Sequence, residues 1–131
     1  MTKRYQRQRS STRRSQQNQL GTIHVQSTKN NTILTLTDAS GLPKAWSSAG
    51  SVGFQGARRS TGFAAQTAAE VLARKSTRLG VSTVYVKLKG LGSGRRSSLR
   101  GLKLGGLRIR KVEDVTPIAH NGCRRPKERR M

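Results

Sequence analysis

Hydrophobic positions in this chain set in after a polar stretch of nineteen residues, and the period they follow then changes along the sequence. Residues 22–27 place Ile23 and Val25 on one side of an extended segment, and residues 32–37 alternate Thr with Leu34 and Leu36. Asn30-Asn31 between them reads as a tight turn. A second turn at Asp38-Ala-Ser-Gly41 leads into a short strand at 44–48 around Trp46, which predicts a three-stranded antiparallel meander. Small residues and Arg fill a loop at 49–60. The period then becomes helical: Ala64, Ala68, Val71 and Leu72 share one stripe of a helix that Thr61 would cap and Gly80 would stop. So many alanines imply a helix packed very close to a sheet.

Residues 83–89 form the clearest strand, with Val84, Val86 and Leu88 facing one way and Tyr85, Lys87 and Lys89 the other. Gly90-Leu-Gly-Ser-Gly94 leads into a short helix at 95–104, Gly105-Gly106 ends it, and 107–112 is a last strand with Leu107 and Ile109 inward. A strand–helix–strand run implies a right-handed parallel crossover. The fold class is α/β: a mixed five-stranded sheet with helices packed against it. The core domain is expected at 21–115, between a basic N-terminal arm at 1–20 and a basic tail at 116–131, both disordered until they meet a partner.

Charge changes the picture more than pattern does. The 131 residues carry 27 Lys and Arg against five acids, a net +22 with a pI near 12.0. Internal ion pairs cannot neutralise such a chain, so its counterpart is a polyanion. A membrane surface fits poorly: no apolar run approaches bilayer length, and the basic stretches lack the apolar face of an interfacial helix. The arm shares its Arg- and Ser-rich, acid-poor composition with organelle transit segments, but it carries no apolar stripe and reads as an RNA-reaching arm. Cys123 is the only cysteine, which excludes a disulfide framework.

The glycine loop lies between a strand and a helix, where backbone N–H groups and a helix N-terminus can hold an anion. It fails both the Walker and the dinucleotide spacings, and a flexible turn would suit the same residues. Lys89, Arg95 and Arg96 at its edges point to RNA phosphate, with Gly92 and Gly94 in the loop and Arg100 on the following helix. Arg58 and Arg59 sit in a loop whose neighbouring glycines would let backbone approach a partner. His120-Asn-Gly-Cys123 offers two ligands where a tetrahedral metal site needs four, and reads as a turn. No catalytic, metal or cofactor set emerges. In the tail Arg124, Arg125, Lys127, Arg129 and Arg130 crowd together, broken only by Glu128.

Asn30-Asn-Thr32, Trp46-Ser-Ser-Ala-Gly50, Gly53-Phe-Gln-Gly-Ala-Arg-Arg59, Phe63-Ala-Ala-Gln66 and Asp114-Val-Thr-Pro-Ile-Ala-His-Asn-Gly-Cys-Arg124 together resemble the small-subunit ribosomal protein eleven family. The resemblance runs from about Gly21 to the C-terminus. It implies a ribonuclease-H-like α/β/α core without nuclease activity, on the platform of the small ribosomal subunit. There such a protein bridges helices of ribosomal RNA beside the messenger exit path, near ribosomal proteins seven and eighteen. It also brings His120, Asn121 and Gly122 into the RNA-facing set. Bacterial and plastid members usually read Lys-Gly-Pro-Gly-Pro-Gly-Arg, but here Leu91 and Ser93 replace the prolines. Ala119, Arg125 and Glu128 depart from the usual Pro, Pro and Lys. Lys89-Gly-Leu-Gly92 and the stretch from Ser97 to Leu107 look like plant mitochondrial members, so a mitochondrial ribosome is expected, with plastid or bacterial ribosomes as the alternatives. A general nucleic-acid-compacting protein and a ribonuclease-H-like nuclease are the competing functions.

Overall fold

A computed structural model describes residues 19–131. The expected N-terminal arm lies outside this range except for Gln19 and Leu20, which already belong to the first strand. Five strands form one sheet: β1 (Gln19–Ser27), β2 (Thr32–Thr37), β3 (Pro43–Ser48), β4 (Val81–Lys89) and β5 (Arg108–Asp114). Two α-helices, α1 (Gly62–Arg78) and α2 (Gly94–Leu104), accompany it among the described residues. Spatial order is β3-β2-β1-β4-β5. The meander is antiparallel as the alternation predicts, and β1 pairs parallel with β4, as β4 does with β5.

Alternation sorts the sheet into two faces. Ile23, Val25, Leu34, Leu36, Val84, Val86 and Leu88 point to one side and form the core with Ala68, Ala69, Leu72 and Ala73 of α1 and Leu102 of α2. Among the described residues both helices lie on this face, so they build two layers where the family resemblance implied three. Thr61 caps α1 as expected: its hydroxyl accepts from the Ala64 N–H at 3.3 Å and donates to the Arg58 carbonyl at 2.8 Å. Gly80 ends the helix with φ +85°, a conformation that costs an L side chain strain.

The helical stripe is wider than the sequence suggests. Val71 is only half-buried, while Ala65, Ala69 and Ala73 make a second buried seam. This seam meets α2 at its small residues. A Cβ on Gly94 would stand 2.9 Å from the Ala65 Cβ, one on Gly101 2.8 Å from the Ala69 Cβ, and one on Gly105 would overlap Ala73. The alanines thus bring α1 close to its neighbouring helix as well as to the sheet.

Three local expectations shift. The β1–β2 connection is a four-residue loop, closed by Thr28 N–H to the Asn31 carbonyl at 2.9 Å, and not a two-residue turn. The 49–60 loop contains a 3-10 turn at Gly56–Ser60, which has too few residues to show a hydrophobic period. Thr116, the first residue of the expected tail, is held by hydrogen bonds to Asp114 and Gly90. Residues 117–131 form no helix or strand.

Candidate nucleic-acid interface

Parallel strands β1, β4 and β5 all end at the same end of the sheet, where α/β folds commonly place their ligands. Three segments leave there: the 28–31 loop, the glycine loop and the tail. They are knitted together by backbone. Gly92 N–H donates to the Ser27 carbonyl at 3.1 Å. Gly90 holds φ +102°, and a Cβ there would fall on the Ser27 carbonyl oxygen; one on Gly92 would fall on that of Thr28. Glycine is required in this loop because two backbones touch.

A polar clasp fixes the third segment. Arg95 donates from Nη1 to the Gly90 carbonyl at 3.0 Å and from Nη2 to Asp114 Oδ2. Thr116 donates its N–H at 3.0 Å and its hydroxyl at 2.6 Å to the other carboxylate oxygen, and its Oγ1 accepts from Gly90 N–H at 3.1 Å. The Thr116 bonds, joined by that of Arg95, hold the Asp114 carboxyl down to about 2. Val115 N–H continues the ladder to the Leu88 carbonyl at 2.8 Å.

The N-terminal ends of both helices join the same end. Ser93 Oγ donates to the Ser60 carbonyl at 2.6 Å, linking the glycine loop to the 3-10 turn that carries Arg58 and Arg59. Gly62, which opens α1, faces Ser97 of α2 so closely that a Cβ would stand 2.6 Å from its hydroxyl. Phe54 and Phe63 brace the turn edge-to-face, ring centroids 5.9 Å apart.

The sequence-predicted residues divide by what they do here. Arg58, Lys89, Arg96 and Arg100 are exposed, the last two one turn apart on α2. Arg59 is exposed but anchored, its Nε donating to the Phe54 carbonyl at 3.2 Å beside Gly50. Arg95 spends its guanidinium on the clasp. Gly92 and Gly94 are buried, and the Gly92 N–H donates within the loop, so both shape its backbone. His120, Asn121, Gly122, Arg124, Arg125, Lys127, Arg129 and Arg130 are all exposed in the irregular tail.

Lys29 carries no signal in the sequence, and Asp114 and Thr116 figure there only as part of the closing family motif. Lys29 and Lys89 line a cleft of about 310 Å³ together with Leu91 and Pro117. Their proximity follows from the parallel pairing of β1 with β4, which residue types do not disclose. Among the described residues no three His, Cys, Asp or Glu side chains gather as a metal-holding group, and no helix is long and apolar enough to cross a membrane.

The sequence family described as ribosomal protein S11 matches residues 21–130. The chain is also similar to the small ribosomal subunit protein uS11m of Marchantia polymorpha: 63% identical over 105 residues, which is 80% of this chain and 84% of that relative.

Proposed function

The chain belongs to the ribosomal protein S11 family, and from that premise we propose that it is a structural constituent of the small ribosomal subunit of mitochondria, holding ribosomal RNA. Its likeness to uS11m supports the mitochondrial ribosome. The observation that carries the RNA contact is convergence. Lys29, Arg58, Lys89 and the α2 pair Arg96 and Arg100 come from four stretches of sequence, yet all are exposed, on or following loops that bond to one another at one end of the sheet.

Mechanically, that end is a rigid cationic block with the tail as its flexible extension. The loops are locked by backbone bonds, so their lysines and arginines meet phosphates with little ordering cost. The tail, dense in Arg, reaches a second stretch of RNA and orders on contact. A block and an extension on different RNA segments hold those segments at a set distance, which is a structural role without catalysis. The immediate protein neighbours, by family resemblance, are ribosomal proteins seven and eighteen.

Sedimentation tests the reading. The tagged protein is expected to travel with mitochondrial small subunits, and replacing Arg58, Arg96 and Arg100 by Ala should reduce incorporation while leaving circular dichroism unchanged. A chain absent from purified small subunits ends the proposal. Equal affinity for any DNA duplex would favour the compacting alternative.

A further inference from the structure

All-parallel sheets occur almost only with both faces covered, whereas the antiparallel part of a sheet can leave one face to solvent. Here β1, β4 and β5 are parallel, and among the described residues the face opposite the helices carries no helix. One row of side chains crosses this face through all five strands. Trp46 stands beside Thr35, Thr35 beside His24, His24 beside Lys87, and Lys87 beside Glu113. The next row sets Thr22 beside Tyr85 and Tyr85 beside Lys111. Trp46 is 59% exposed, although a Trp side chain usually buries most of its surface.

Charge decides what can cover this face. Lys44, Lys87, Lys89, Arg108 and Lys111 share its strand parity. Lys44 pairs with Asp38 at 3.4 Å, and Lys111 with Glu113, the one acid of that parity in the described strands, which leaves Lys87, Lys89 and Arg108 as the excess charge of the face. The eighteen residues preceding β1 hold six Lys and Arg and no acid, and a second copy would bring the same +22. Both would be repelled. The occupant is a polyanion, and one with flat apolar surfaces to use the exposed indole. A duplex offers phosphates but keeps its bases stacked inside, whereas unpaired RNA offers both, and sheet faces with aromatic rings are a recurrent platform for it.

We propose that the helix-free face of the sheet is a binding site for an unpaired stretch of RNA, with a base stacked on Trp46 and phosphates over Lys87 and Lys89. The proposal deepens the reading above and rests on it for the identity of the polyanion.

Trp46 is the only tryptophan of the chain, so its fluorescence reports this face alone. The full-length protein is titrated with an oligouridylate dodecamer and, separately, with an RNA duplex of equal length, binding being followed by anisotropy of labelled RNA. The dodecamer should quench Trp46 on binding and the duplex should not. Trp46→Ala should weaken dodecamer binding about tenfold or more, the scale of one lost base stack. Trp46→Phe should retain most of it, and duplex affinity should not change in either variant. Dodecamer binding without quenching, quenching by the duplex to the same extent, or an unaltered Trp46→Ala variant would each overturn the site. A Trp46→Ala protein that binds the dodecamer normally but fails to enter small subunits would overturn it too, in favour of a protein partner. Wild-type protein that is quenched but absent from small subunits would sink the subunit reading and leave the site standing.

Discussion

Asp114 shows how one side chain can organise a surface that other residues use. Its carboxylate gathers Arg95 and Thr116, and through them Gly90, so that the glycine loop and the chain leaving β5 move as a unit. A carboxyl held down to about 2, against an ordinary 3.8, keeps its charge in the fold where the unfolded chain would take up a proton, and so stabilises the folded state. That contribution is complete above about pH 4 and lost as the pH falls through about 2. Asp114→Asn should therefore lower the urea midpoint at neutral pH, and the gap to the wild type should close on acidification below about 2. An Arg beside a glycine loop has the chemistry of a phosphate ligand, and the sequence offers Arg95 as one. Its actual partner lies 19 residues on, and only the parallel placement of β5 beside β4 brings the two together.

At the scale of elements, the strands were legible because one face is dry and the other wet, which forces alternation. Both helices were legible too, from Thr61 and Gly80 at the ends of the first and Gly105-Gly106 after the second. The second seam of α1 was not, since an alanine facing a sheet and an alanine facing a helix look the same in one dimension. That seam yields a prediction against local propensity. Ala is a better helix former than Gly by about 1 kcal/mol, yet at Gly101 a methyl would overlap the Gln66 carbonyl oxygen and crowd Ala69. Overpacking costs about 1–3 kcal/mol. Gly101→Ala should lower stability by about 1 kcal/mol or more in chemical denaturation, where an exposed helical Gly→Ala would raise it.

Over the whole molecule, charge was legible and its arrangement was not. Composition demanded a polyanion; only the fold showed exposed cations gathered at the ends of the parallel strands and a second cationic face across the sheet. The tail's five basic residues act outside the packed domain. Removing residues 122–131, all exposed, should shift the unfolding midpoint little, since surface changes fall within about 0.5 kcal/mol. RNA binding should respond strongly. The slope of log affinity against log salt should fall by about three to five if most of those side chains meet phosphate, as filter binding across a salt series would show.

The order of strands also bears on how the chain is made. β1 sits in the middle of the finished sheet, but its partner on one side, β4, is synthesised only after β2, β3 and α1, so Gln19 waits for Val81 and Gln26 for Lys89. The meander can close early because its pairings are local. Until β4 leaves the exit tunnel, the strand destined for the centre is an open edge, its amides and carbonyls available to any passing strand. A chain stopped at Gly80 should accordingly associate in light-scattering measurements where the full chain stays dispersed. For a protein of this charge the nearest polyanion during that interval is the RNA of the ribosome translating it, so the same surface property that fits it for assembly also makes its own birthplace a competitor for the nascent chain.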